Sequence, residues 1–579
     1  MASPSPISQA STFTIEPGPL SDAVGRAHAR LDQLGVADAL WHKRLDVWSA
    51  DPAIQQQIAN RLGWLDALDV VTPQLPRLRA CADAVRRDGF THVVLLGMGG
   101  SSLAPEVLRQ VLASRESIPS FRVLDSVDPD AVRAAMAQAD TSLFIIASKS
   151  GSTIEPNTMA AEARRRVIAA GHTEWGTRFI AITDEGTALH RLATAERFRD
   201  VFVNPSDIGG RYSALSLFGM VPAALMDIDL DALVAGARAM KAACRAQGRD
   251  NPGLALGAIM GAGAAPENGR DKLTLLLPKR LESFGLWVEQ LVAESTGKHD
   301  TGVVPIAGES ARMSLGPDRI VVSVSVGDET PEAAVLEHAK ASGAPAVTMR
   351  LPDAHALGAE FLRWEIATAT AGLLMGINPF DEPNVKEAKD ATTALLDVYR
   401  HAKRLPRPEP HAEISGVRLT LSAAAESQLS GEPAASFLRV LGKRDYFCLL
   451  AFLPPDDQRF EPILQELRMA AGSRGECATM FGYGPRYLHS TGQLHKGGAN
   501  TGVFVIVTAE ADEDLPIPDQ PFSFSVLETA QALGDFQSLD RKGRRAMLIT
   551  LPRRDPELLR GVFAALLDAF STRAESRLP

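Results

Sequence analysis

The chain has 579 residues, 45% of them hydrophobic and 22% charged, which is too long for a single core and is the composition of a globular protein rather than a disordered or fibrous one. A net charge of −10 leaves no electrostatic footprint for nucleic acid, so any local basic cluster must serve a small anion.

At the start, MASPSPISQASTF lacks the basic and apolar parts of a secretory leader, and uncharged apolar stretches stay below the ~18 residues needed to span a bilayer. A cytoplasmic protein without membrane contact is expected. Residues 1–75 carry helical periodicity in LSDAVGRAHARLDQLG and QQQIANRLGWLDAL without a clear strand, and they read as a helical N-terminal cap. Over residues 76–230 the short apolar runs HVVLLGMGG, FRVLD, LFIIASKSGS, RFIAITD and RFRDVFVNP alternate with amphipathic helices, the pattern of a five-stranded doubly wound unit. A second such unit is expected over 231–403, with strands LTLLLP (273–278), IVVSVSV (320–326) and PAVTMRL (345–351), and a helix in FLRWEIATATAGLLMG before the turn INPFDEPN. The shared layout hints at internal duplication. The proline-rich, charged RLPRPEPHAE (404–413) reads as a linker or external crossing segment. Residues 404–579 then form a C-terminal α/β region with strands in YFCLLAFL, TGVFVIVTA and AMLITL. The fold class is α/β with mainly parallel sheets.

Two loops stand at strand ends. SKSGST (148–153) follows the strand LFIIA and precedes a helix, so its hydroxyls, lysine and backbone donors converge where a helix N-terminus favours negative charge. A phosphate is the natural occupant, the alternative being a solvated Ser/Thr cap. LLGMGGSSLAPEVL (95–108) has Gly97, Gly99 and Gly100, but Ser102 stands where a dinucleotide fingerprint needs its third glycine, and no G-K-[ST] of a Walker loop is present. Two phosphate-friendly turns at the carboxyl ends of strands could then face one crevice.

GMGGSS, SKSGST, GGRYS (209–213), ESTGK (294–298) and NPFDEPNVKEAK (378–389) together resemble, in order, the signature loops of the glucose-6-phosphate isomerase family, which is built from two sugar-isomerase domains. The resemblance spans residues 90–400. STGQLHKGGANTGVF (490–504) resembles the family's histidine loop, but it follows the lysine segment by about a hundred residues instead of preceding it, a layout similar to the isomerase half of transaldolase/glucose-6-phosphate isomerase fusions. The family often has threonine where Ser150 stands and a bulkier residue at Gly151, changes that keep hydroxyl donors.

The resemblance implies an aldose–ketose isomerase that opens the hexose ring and moves a proton between carbons 1 and 2 through an enediol(ate). It makes Glu294 the base, at the end of an apolar helix where desolvation would raise its pKa. Arg211 would stabilise the developing oxyanion, and Lys389 and His495 would open the ring. Ser148, Lys149, Ser150 and Thr153 would hold the phosphate, Gly100 and Ser101 would line the sugar, and Gln290 would sit one turn before Glu294. His299 and His489 neighbour signature loops, but nothing in the sequence separates them from ordinary surface or packing histidines. Side chains fill the electrophilic and acid–base roles, so no metal or organic cofactor is expected, in keeping with four dispersed cysteines, Cys81, Cys244, Cys448 and Cys477. A homodimer is implied, with the histidine supplied across the interface. Open alternatives are a non-catalytic sugar-phosphate-binding module, which would not need Glu294, Arg211 and Lys389 together, an isomerase for mannose 6-phosphate or an amino-sugar phosphate, and, more remotely, a dinucleotide enzyme.

Overall fold

A computed structural model describes residues 11–114, 119–309, 315–455 and 457–575. The chain begins with β1 (Thr12–Glu16), followed by short helices up to Arg87. The first sheet holds β2 (His92–Gly97), β3 (Ser120–Leu124), β4 (Ser142–Ala147), β5 (Phe179–Asp184) and β6 (Asp200–Asn204), all parallel, in the order β3-β2-β4-β5-β6. The second holds β7 (Lys272–Leu276), β8 (Val304–Ile306), β9 (Arg319–Val326) and β10 (Ala346–Leu351), with β1 at its edge, in the order β1-β10-β9-β7-β8. The third holds β11 (Ala412–Ile414), β12 (Val417–Leu421), β13 (Tyr446–Phe452), β14 (Ala478–Tyr483), β15 (Gly502–Ala509) and β16 (Arg545–Leu551), in the order β11-β12-β16-β15-β13-β14.

The fold class expected from the sequence is the one observed, α/β with mostly parallel sheets. The N-terminal segment departs from the reading without a strand. TFTIE pairs antiparallel with β10, Thr12 opposite Arg350, and its residues alternate in exposure; five residues ended by Pro17 and Gly18 are too few to stand out against the helical periodicity beyond them. β8, β11, β12 and β14 are likewise absent from that reading, the first two because three residues make no pattern. All but β8, at an edge of the second sheet, lie in the third, whose antiparallel edge β11-β12 closes an otherwise parallel array.

The third sheet is apolar on both faces. Along β13, Tyr446, Cys448, Leu450 and Phe452 pack into a core shared with Leu96, Phe144 and Met159 of the first unit, whereas Phe447, Leu449 and Ala451 pack into a separate core under Val562 and Leu566. A period of two thus welds residues 446–452 to the first sheet's layer on one side and to the C-terminal helix on the other. Among the described residues no helix is long and apolar enough to cross a membrane.

Candidate active site

β3 lies to one side of β2 and β4–β6 to the other, so the carboxyl ends of β2 and β4 flank the point where the winding reverses, the usual ligand position in an open parallel sheet. The loops leaving both strands run into helices, Leu103–Val111 and Ile154–Ala169. Gly151 has φ +64, and a Cβ there would lie 2.9 Å from the Leu189 nitrogen, which bars any side chain from this turn. A Cβ on Gly100 would fall 2.0 Å from the Gly210 carbonyl oxygen. The two glycine loops are thus in backbone contact, and Arg211 is carried to the same crevice.

The crevice is a cleft of about 350 Å³, and it gathers Gly100, Ser101, Ser148, Lys149, Ser150, Thr153, Arg211, Gln290, Glu294 and Lys389 from segments far apart in sequence. All the site residues expected from the sequence are there except His495. Gln290 and Glu294 fall on one face of the buried helix Glu282–Thr296. The Gln290 amide donates to Glu294 Oε2 at 3.2 Å and to the His489 carbonyl at 2.8 Å. Arg211 is buried and fixed on every side: Nε donates to Ser295 Oγ at 2.9 Å, Nη2 to the carbonyls of Pro379 at 3.0 Å and Asp381 at 2.8 Å, and Nη1 stands between Glu382 at 2.9 Å and Glu294 at 3.2 Å. Burial pushes the Glu294 carboxyl above its ordinary value, Arg211 opposes this, and Glu382 on the same guanidinium adds to it. Glu382 is itself held below the ordinary value, its burial outweighed by Arg211. Behind them Lys298, paired to Asp381 at 2.8 Å, is brought down to about 8 by burial and by Arg211.

In the SKSGST loop the Ser148 hydroxyl donates to Thr153 Oγ1 at 3.3 Å, and the Ser150 and Ser152 hydroxyls are 2.9 Å apart. The Lys149 ammonium is turned to Asp184 and the Ser206 carbonyl, so hydroxyls and the helix N-terminus face the cleft more directly than the lysine does. Lys389, on the first turns of Val385–Ala402, is exposed and has no hydrogen-bond or ion-pair partner for its ammonium among the described residues.

His495 does not reach the cleft. It is 1% exposed, its Nε2 lies 3.7 Å from Cys448 Sγ, and its ring stands between Tyr487 and Phe504 with centroids at 5.9 and 5.1 Å. Burial first, then Lys496 and Arg544, drive its pKa well below the ordinary value. The reason is geometric: GQLHKG forms a short helix, Gly492–Gly497, whose histidine points into the core beneath β13 and β15. The cleft histidine is His489, at the end of the preceding turn. Its Nε2 is 2.8 Å from Glu155 Oε1, and Gln531 donates to the same oxygen at 2.7 Å. Burial works against the Glu155 charge, but His489, by charge and hydrogen bond, and Lys389 more remotely hold that carboxyl below its ordinary value. Gly99, at φ +55, lets the His489 carbonyl close to within 2.6 Å of where a Cβ would stand.

Residues 82–317 match the family phosphoglucose isomerase. A glucose-6-phosphate isomerase of Parasynechococcus marenigrum is 28% identical over 422 residues, covering 65% of this chain and 75% of that protein. One of Citrifermentans bemidjiense is 26% identical over 414 residues, covering 62% and 77%. The chain is thus similar to glucose-6-phosphate isomerases over 65% of its length. Among solved structures, a hypothetical protein of Thermus thermophilus superposes with a TM-score of 0.57 at 23% identity, covering 66% of this chain and 99% of that one. A Chlamydia trachomatis glucose-6-phosphate isomerase superposes at 0.54 with 18% identity, covering 68% and 89%; at such identities both bear on the fold alone.

Sequence reading passes over three residues around this cleft, Glu155, Glu382 and Gln531, and leaves a fourth, His489, undistinguished from an ordinary surface or packing histidine. Glu155 closely follows SKSGST and Glu382 sits inside NPFDEPN, so both are within reach of the motifs. Gln531, on the helix Phe524–Arg541, carries no signal in its own neighbourhood.

Proposed function

We propose that the chain interconverts glucose 6-phosphate and fructose 6-phosphate, with Glu294, Arg211, Lys389 and His489 as the acting side chains. The observation that carries this reading is a buried carboxylate clamped to a fixed guanidinium on one wall of a cleft whose other wall is a hydroxyl-rich loop at a helix N-terminus. The loop 148–153 takes the phosphate, with Gly100 and Ser101 against the sugar. His489, oriented by Glu155, and Lys389 transfer protons between the ring oxygen and the C1 hydroxyl, which opens the ring. Ionised Glu294 then takes the proton from one carbon of the open chain and returns it to the next, and Arg211 offsets the charge gained by the enediolate oxygen. A non-catalytic binding module would have no use for the desolvated Glu294 facing Arg211. We take residues 1–75 as a cap, 76–230 and 231–403 as the two sugar-isomerase units, and 404–579 as the region that delivers the histidine, in a cytoplasmic enzyme. A homodimer is part of the family reading, and His489 of the same chain already lines the cleft.

Glucose 6-phosphate formed from fructose 6-phosphate, read through a coupled dehydrogenase, is the direct test; a purified chain with no turnover of either hexose phosphate would sink the reading. The two histidines separate sharply. His489→Ala is expected to lower kcat by about 10²-fold or more, while His495→Ala leaves kcat within about threefold and lowers stability by about 1–3 kcal/mol through its cavity. The reverse pattern in paired kinetics and denaturant melts would return the role to His495.

A further inference from the structure

Behind the catalytic cleft lies a second cavity of about 400 Å³, bounded by the helix Glu282–Thr296, the helix Glu461–Gly475, β14 and the turn 486–491. It shares two walls with the cleft. Ser283 and Glu289 look into the cavity from the helix that turns Gln290 and Glu294 to the cleft, and Ser490 lies on the cavity side of the turn that presents His489.

Its inner end holds a guanidinium outside any ion pair. Arg468 is 5% exposed and forms no salt bridge among the described residues; Nε and Nη2 are bound to Thr479 and the Ala307 carbonyl, and Nη1 is left toward the cavity beside Gly308. Glu309 pulls on it from a distance but is itself paired to Arg319 at 2.9 Å. A buried guanidinium with a free edge draws an anion. Glu289 beside it does not supply that anion. Its Oε1 accepts only the Ala307 N–H, at 3.1 Å, and burial pushes the carboxyl up to about 8 against the pull of Arg468, so it stands as a neutral donor; the Cys448 thiol, the other titratable group facing it, is driven up as well. Six helical positions away, about 9 Å along the axis, the buried Ser283 hydroxyl has no partner among the described residues. Leu286 lies between these ends; Glu282 at the rim offers an acceptor to hydroxyl groups, and Glu461, which already accepts from Gln465 and the Tyr483 hydroxyl and also acts on Arg468, joins it in repelling a multiply charged anion.

We propose that this cavity is a second ligand site, for a small hydroxylated monocarboxylate whose carboxylate meets Arg468 and Glu289 and whose hydroxyls meet Ser283 and Glu282.

Gluconate is the probe, titrated by calorimetry into the full chain with and without saturating glucose 6-phosphate and fructose 6-phosphate in the cleft. Saturable binding below about 10 mM, unchanged by the hexose phosphates and absent for uncharged sorbitol, is expected. Leu286→Trp, which fills the cavity, weakens it by about tenfold or more while isomerase turnover stays within about twofold. Ser283→Val, a smaller change, repeats the weakening should the tryptophan variant misfold. Displacement of gluconate by the hexose phosphates, equal binding of sorbitol, no saturable binding, or wild-type affinity in a folded variant would each overturn the site. Because the readout is heat, it stands apart from whether the cleft isomerises sugars.

Discussion

Glu294→Gln lowers turnover by about 10³-fold or more while substrate affinity stays near wild type. Glutamine keeps the shape of the side chain and its contact with Gln290, but its amide cannot accept a proton from carbon. The loss falls on kcat because proton abstraction exists only in the transition state. The same carboxyl governs the acid side of the pH profile. It works ionised, and burial with Glu382 close by raises its pKa, so activity falls on acidification from above the ~4.3 of an ordinary glutamate; in the glutamine variant that limb disappears from what activity is left. Turnover within about tenfold of wild type would move the base elsewhere, Glu382 being the adjacent carboxylate.

Arg211→Met loses both rate and stability. Glu294, whose side chain is only 13% exposed, is left facing Glu382 with no guanidinium between them, and removing one partner from a buried pair destabilises by about 3–5 kcal/mol. The freed carbonyls of Pro379 and Asp381 add to the loss. Adding Glu294→Gln to Arg211→Met recovers part of that stability, since the stranded charge is gone, but none of the turnover. Denaturant midpoints of the two single variants and the double variant, with kcat measured alongside, check this. A stable, active Arg211→Met chain would show the guanidinium to be dispensable.

What could be read from the sequence followed local determinants. The strand runs HVVLLG and LFIIA, each closed by glycine or hydroxyl residues, locate both cleft loops because a parallel strand followed by a turn and a helix is a short-range pattern. Gln290 and Glu294 follow from helical spacing alone. The histidine does not. QLHKGG and YLHS lie close together in the same loop region, and which imidazole faces the cleft is decided by the short helix Gly492–Gly497 turning His495 under β13 and β15 and by the seating of the His489 carbonyl against Gly99. The second of those contacts joins residues that are far apart in sequence. Arg468 and Ser283 are invisible for the same reason, since an unpaired guanidinium is a property of its surroundings and not of its neighbours in sequence.

The turn that carries His489 is continuous with β14 and β15, and those strands are held to the first unit by a common apolar core. Within one chain the imidazole therefore arrives at the cleft at a local concentration set by the path of the polypeptide and not by encounter. Seating this imidazole becomes a unimolecular event, part of folding itself.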